Sequence, residues 1–191
     1  MASGVLDQDI LACRAGNVAS FRKVMEYYQG HAYRFAFRML CDGDEANDVV
    51  QEAFIRIWKA FAGYDPSRPF MAWMYAIVSN ICLDHLRSRR RRSLLFKSLP
   101  EDREVMDGAQ ISPEDRISND QLATLIKMIT KRLSPRQQLV FTLRELEDLP
   151  VEEVAQITGM SGETIKANLW HARRAIRKVL AKEYNMGRGQ S

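Results

Sequence analysis

Apolar residues recur at helical spacing along most of this chain. A short helix fits 7–15 and a long one fits 18–40, where Phe21, Val24, Met25, Tyr28, Ala32, Phe35, Ala36 and Met39 fall on one stripe. Asp42, Gly43 and Asp44 then break the chain. Across 45–61 the apolar stripe is Val50, Ala53, Phe54, Ile57 and Phe61; Asp48, Gln51, Glu52, Ile55 and Lys59 are left on the far face, with Trp58 at the edge. A loop stiffened by Pro66 and Pro69 separates this element from 70–87, a helix apolar nearly all round. A helix without a polar face belongs in the centre of a fold. Its polar seam is Asn80, Asp84 and Arg87, near Trp73 and Ala76.

The C-terminal part has a different rhythm. The run from Val151 to Ile165 reads as a helix, a tight turn and a second helix that continues to Lys178. Pro150 suits a first helical turn, Val154 and Ala155 let two helices cross closely, Gly159 can end the first helix in the left-handed conformation, and Ser161 caps the second. At about 100° per residue, Ile165, Leu169, Ala172, Ile176, Val179 and Leu180 form the buried stripe. The opposite side carries Lys166, Ala167, Trp170, His171, Arg174, Arg177 and Lys178. Burial does not account for a tryptophan there. Taken alone, a basic stripe is a solvated face; behind this turn it is a helix-turn-helix prepared for a DNA major groove.

Composition fits an all-α chain. Its 191 residues suffice for two small cores, and the 10 Gly and 6 Pro cluster between periodic segments instead of recurring as turns between short strands would. There is no apolar run of about 18 residues and no signal-peptide pattern at the start, so a soluble, cytoplasmic protein without membrane insertion is expected. Cys13, Cys41 and Cys82 are odd in number and widely spaced, which speaks against disulfide or zinc frameworks. Cys82 and His85 share a helix face but lack a second ligand pair.

The net charge of +4 hides an asymmetry. Arg87, Arg89, Arg90, Arg91, Arg92 and Lys97 crowd together without a carboxylate, whereas 98–121 holds Glu101, Asp102, Glu104, Asp107, Glu114, Asp115 and Asp120 against Arg103 and Arg116. With Pro100, Gly108 and Pro113 interrupting it, this segment reads as an acidic linker between domains at 1–97 and 122–185.

Two patches of the N-terminal domain leave two readings each. Ile55 and Trp58 beside Asp48, Gln51 and Glu52 suit protein docking, or simply an amphipathic helix with one exposed isoleucine. Trp73 and Asn80 beside the arginine run suit an unstacked base and its phosphates, or a core tryptophan with a satisfied buried amide. No phosphate-cradling glycine loop, nucleophile elbow or metal-ligand set is present, so neither catalysis nor a cofactor is expected.

Asp48-Val-Val-Gln-Glu-Ala-Phe-Ile-Arg-Ile-Trp58, Tyr64-Asp-Pro-Ser-Arg-Pro-Phe-Met-Ala-Trp73, Asn80-Ile-Cys-Leu-Asp-His-Leu-Arg87 and the stretch from Leu133 to Lys178 resemble bacterial sigma factors of the extracytoplasmic-function group. The resemblance implies a region-2-like bundle and a region-4-like helix-turn-helix domain that bind core RNA polymerase and promoter DNA. It also implies an anti-sigma factor as partner, membrane-anchored in one of its forms, and a role in stress-responsive transcription. By motif position Asp48, Gln51, Glu52, Ile55 and Trp58 would meet the polymerase clamp helices. Tyr64, Asp65, Arg68, Trp73, Asn80, Arg87, Arg89 and Arg90 would serve the melted −10 element. Thr164, Lys166, Ala167, Trp170, His171, Arg173, Arg174 and Arg177 would serve the −35 element. Ala76 stands where relatives often have a basic residue, and Asn168 and His171 where they often have arginine. Two rival readings are a sigma mimic that binds only an anti-sigma factor and a conventional helix-turn-helix regulator. Both leave a surface unexplained: the mimic its two basic faces, the regulator its clamp patch and arginine run.

Overall fold

The computed structural model describes residues 3–96 and 132–188, with side chains described over 6–92 and 132–181. The acidic linker expected at 98–121 lies outside the described residues. In chain order the elements are α1 (Ser3–Arg14), α2 (Val18–Leu40), α3 (Gly43–Ala60), a 3-10 turn (Phe61–Gly63), α4 (Phe70–Phe96), α5 (Pro135–Phe141), a π-helical turn (Thr142–Leu146), α6 (Val151–Thr158) and α7 (Gly162–Arg188). Among the described residues there is no strand.

Local chemistry sets the helix ends. Asn17 accepts the Ser20 N–H at 3.0 Å to start α2, and Asp42 does the same for Glu45 at the start of α3. Between these two helices Cys41 takes a left-handed φ of 52°, a conformation uncommon for a residue with a side chain. Ser134 and Gln137 form a reciprocal capping box ahead of α5, with Pro135 in its first turn. Pro150 is the N-cap of α6, one residue before the first-turn place expected for it. Gly159 closes α6 with φ 68°, and its N–H bonds to the Ala155 carbonyl at 2.8 Å. Ser161 Oγ then accepts the Thr164 N–H at 3.2 Å to open α7. The helix-turn-helix therefore has the turn that its sequence demands.

α4 is the centre. Met74, Tyr75, Val78, Ile81, Cys82 and Leu83 are all buried, and α4 packs on α2 and α3 on one side and on α5 and α6 on the other. It also continues to Phe96, beyond the end at 87 that its periodicity suggests, so the arginine run is helical. In α3 the stripe is turned slightly from expectation: Val49 is fully buried and Val50 only half-buried. In α7 Ile165, Leu169 and Ala172 are buried, whereas Leu180 is 44% exposed because the helix has by then run past the elements it packs on.

Aromatic rings fill the end of the N-terminal unit. Phe61 lies within about 6 Å, ring centre to ring centre, of Phe21, Tyr64, Phe70 and Trp73. The two units do not have separate cores. Leu139, Val140, Leu143 and Val154 belong to one continuous apolar cluster with Val24, Phe35, Met39 and Val78.

Truncating the ring at the middle of the aromatic cluster gives a direct measure of this packing. Phe61→Ala is expected to lower unfolding free energy by about 3–5 kcal/mol, read from a shift of the urea midpoint at unchanged slope; a shift worth under about 1 kcal/mol would place the cluster outside the cooperative core.

Candidate polymerase and nucleic-acid interfaces

The outer face of α3 presents Asp48 and Gln51 to solvent together with Ile55, which is 55% exposed. Glu52 is half-buried and holds Arg56 at 2.5 Å, one turn on. Trp58 is drawn inward, with its ring 4.8 Å from that of Phe21. This edge is thus a rigid aromatic support beneath an exposed apolar and amide patch.

The loop after α3 is built by its own side chains. The Tyr64 hydroxyl donates to the Arg68 carbonyl at 2.6 Å, and its ring is buried against Phe61, Phe70 and Trp73. Tyr64 therefore shapes the loop from below. Asp65 accepts the Ser67 N–H at 3.0 Å and pairs with Arg68 at 3.7 Å. Hydrogen bonding by Ser67 holds its carboxyl below the usual aspartate range. Trp73 is half-buried among the same rings, while Asn80 is exposed and so is not a buried, satisfied amide.

The arginine run divides by partner. Arg87 pairs with Asp84 at 3.1 Å on the exposed seam. Arg89 turns inward instead: its guanidinium meets Glu45 at 2.8 Å, Asp42 at 3.5 Å and the Leu40 carbonyl at 2.8 Å. Arg90 donates to the Leu133 carbonyl at 2.6 Å. Arg89 thus closes the α2–α3 corner, and Arg90, exposed, ties α4 to the C-terminal unit. Carboxylates and carbonyls distant in sequence recruit them, and helical phase does not reveal such partners. Arg91 and Arg92 remain exposed.

On α7, Lys166, Ala167, Trp170, His171, Arg174 and Arg177 are exposed on one side. The Arg174 guanidinium lies 5.3 Å from the Trp170 ring centre, and His171 packs edge-on to that ring at 4.8 Å. The three side chains form one contiguous group. Arg173 leaves the face to bond Glu145 at 2.6 Å, and the Thr164 hydroxyl is engaged with Ser161 at 2.9 Å. Arg173 accordingly ties α7 to the segment after α5 within the C-terminal unit.

A further set of polar residues joins the two units and carries no signal in the sequence. Glu147, just beyond the π-helical turn, accepts from Arg38 at 2.5 Å and from the Tyr75 hydroxyl at 2.8 Å. Gln138 is buried and donates to the Met39 carbonyl at 2.5 Å. Between the units Asn80 and Arg87 face Arg136, Met160, Ser161 and Thr164 across a cavity of about 380 Å³. Among the described residues no His/Cys/Asp/Glu group is arranged to hold a metal, and no helix is long and apolar enough to cross a membrane.

Two family models match the chain, Sigma-70 region 2 over residues 24–92 and Sigma-70 region 4 over residues 124–176. The chain belongs to the sigma-70 family of RNA polymerase sigma factors, in its extracytoplasmic-function group, and is an alternative sigma factor. It is similar to the ECF RNA polymerase sigma factor SigW of Bacillus subtilis, 26% identical over 181 residues that cover 92% of this chain and 97% of the relative. It is also similar to the RNA polymerase sigma-H factor of Pseudomonas aeruginosa, 29% identical over 170 residues, 86% and 88% of the two chains. Among solved structures, the sigma factor RpoE in complex with the anti-sigma factor NepR from Bartonella quintana shares the fold, with TM-score 0.65 and 22% identity over 86% of this chain and 98% of that one. So does CnrH in complex with the cytosolic domain of CnrY, with TM-score 0.66 and 19% identity over 92% and 97%.

The cysteines give a chemical check on these surfaces. Burial pushes the Cys82 thiol up to about 12 and, with Asp9 adding to the effect, Cys13 up to about 11, whereas Cys41 is partly exposed. Iodoacetamide at pH 8 is expected to modify Cys41 first and the other two only after denaturant is added. Peptide mass mapping that finds Cys82 alkylated in the native protein would contradict the burial of α4.

Proposed function

We propose that this sigma factor divides its work among three surfaces. The α3 patch of Asp48, Gln51, Glu52, Ile55 and Trp58 docks on the clamp helices of core RNA polymerase. The seam of α4, with Asn80 and Arg87 beside Trp73 and the Asp65–Arg68 loop, takes the unstacked strand of the −10 element. The Lys166, Trp170, His171 and Arg174 face of α7 reads the −35 element in the major groove. Polymerase supplies the chemistry, and this chain supplies promoter choice and strand opening in the cytoplasm. A cognate anti-sigma factor completes the circuit, as NepR does for RpoE of Bartonella quintana in their complex.

The observation that carries the reading is α7: a tryptophan with an arginine over its ring and a histidine edge-on to it, on the solvent side of a basic helix behind a glycine-ended turn. A solvated face does not need an ordered aromatic; a groove-reading face gains from one. Purified chain added to core polymerase is expected to give initiation at discrete start sites, and no specific initiation with wild-type chain would refute the assignment.

Two variant sets separate the surfaces. Gln51→Ala with Glu52→Ala is expected to weaken pull-down by core polymerase with less than about 0.5 kcal/mol change in folding stability, and unaltered capture would remove α3 from the clamp. Across a library of −35 sequences, His171→Arg is expected to reorder preference. Arg174→Ala is expected to weaken all sequences alike and to flatten the salt dependence. The reverse pattern would exchange the reading and anchoring roles.

A further inference from the structure

Four arginines gather beside α4 with little to offset them. Arg87, Arg90 and Arg91 come from α4 and Arg136 from α5, and with Ser134 and Pro135 they line a basin of about 500 Å³. Arg87 pairs with Asp84 and Arg90 with the Leu133 carbonyl, but among the described residues Arg91 and Arg136 have neither a carboxylate nor a carbonyl as partner, and both are exposed. A basic run on one helix is ordinarily a solvated face. Here a second element adds to it, and guanidinium groups held this close repel one another unless an anion lies between them. Phosphate oxygens suit that place, because a guanidinium can bond two of them at once.

Arg87 and Arg136 also border the cavity of about 380 Å³, so basin and cavity adjoin at those two side chains. The cavity has a different lining. Apolar Leu83, Leu139, Ile157 and Met160 alternate with Asn80 and Thr164, and no described carboxylate lines it. Ser79 lines it too: the residue is 2% exposed, and its hydroxyl has no hydrogen-bond partner. A helical serine ordinarily bonds back to the preceding turn, and native interiors rarely leave a buried hydroxyl unpartnered. A ligand atom in the cavity would supply the missing partner. The volume is near the lower end of small-molecule sites, roughly 300–1,000 Å³, which admits a nucleoside but not a length of strand. The polar groups in its walls disfavour a lipid chain.

We propose that basin and cavity together form a binding site for a free nucleoside polyphosphate, its phosphates on Arg87, Arg90, Arg91 and Arg136 and its nucleoside in the chamber lined by Met160, Leu139 and Ser79. Charge is distributed in the site as it is in such a ligand, with the four cations around the basin and uncharged donors, acceptors and apolar surface in the cavity beyond. The inference goes beyond the sigma-factor reading by adding a small-molecule ligand. Ser79, Arg91 and Arg136 belong to none of the polymerase or DNA surfaces assigned above. Asn80 and Arg87 are shared with the −10 seam, so a bound nucleotide would stand where the strand has to pass.

Isothermal titration calorimetry on the full chain tests this, with ATP, GTP, inorganic tripolyphosphate, adenosine and a short single-stranded oligonucleotide as probes. ATP or GTP is expected to bind at a single site, at least about tenfold tighter than tripolyphosphate or adenosine, because only the nucleotides fill both chambers. Arg136→Gln removes an exposed guanidinium without touching the core and is expected to weaken the nucleotide about tenfold or more. Ser79→Ala deletes only a hydroxyl that has no partner, so it is expected to keep or raise Tm while weakening the nucleotide several-fold and leaving tripolyphosphate unchanged. No nucleotide binding, full affinity in either variant, or tripolyphosphate as tight as the nucleotides would each overturn the proposal. An oligonucleotide that binds tighter than the nucleotides and is equally sensitive to Arg136→Gln would also overturn it, since the cavity would then be part of the −10 seam. Initiation by the wild-type chain with core polymerase tests the sigma reading by itself, so the two can fail independently.

Discussion

Everything in this molecule is arranged around a helix that has almost no side fit for water. α4 buries residues at nearly every phase between Phe70 and Leu83, and the apolar area it removes from solvent, at about 25 cal/mol per Å², can be hidden only by neighbours on both flanks. α2 and α3 supply one flank and α5 and α6 the other. Of its polar strip, Asn80, Asp84 and Arg87, Asn80 and Arg87 border the groove between the units. The constraint that makes the fold also decides where a nucleic-acid strand could touch it.

Much of this is legible in the residues because it is local. Asn17, Asp42, Ser134 and Ser161 are capping residues at helix starts, Gly159 must be left-handed, and the stripe of α2 and the exposed Trp170 follow from periodicity alone. What escapes is partnership. Arg89, Arg90 and Arg173 occupy exposed phases of their helices, yet each is taken by an acceptor on another segment, Glu45, Leu133 and Glu145. A long guanidinium can bend some 6 Å away from its own helical phase, about a helix turn. Tyr64 escapes for the opposite reason, since a loop tyrosine reads as exposed until the ring cluster beneath it is known. Leu139 in α5 and Leu143 in the π-helical turn share a cluster with residues of the other unit, and local periodicity does not reveal that cover.

The two kinds of packing differ in how easily they come apart. The Phe61 cluster is apolar and internal to one unit, so disrupting it exposes surface that water cannot compensate. The seam between units combines hydrogen bonds to carbonyls and one carboxylate, which exchange with water at a net of only about 0.5–1.5 kcal/mol each, with the apolar cluster that runs from Phe35, Met39 and Val78 into Leu139, Leu143 and Val154. Parting the halves would therefore also expose apolar surface of α4, and that surface, more than the hydrogen bonds, sets the cost.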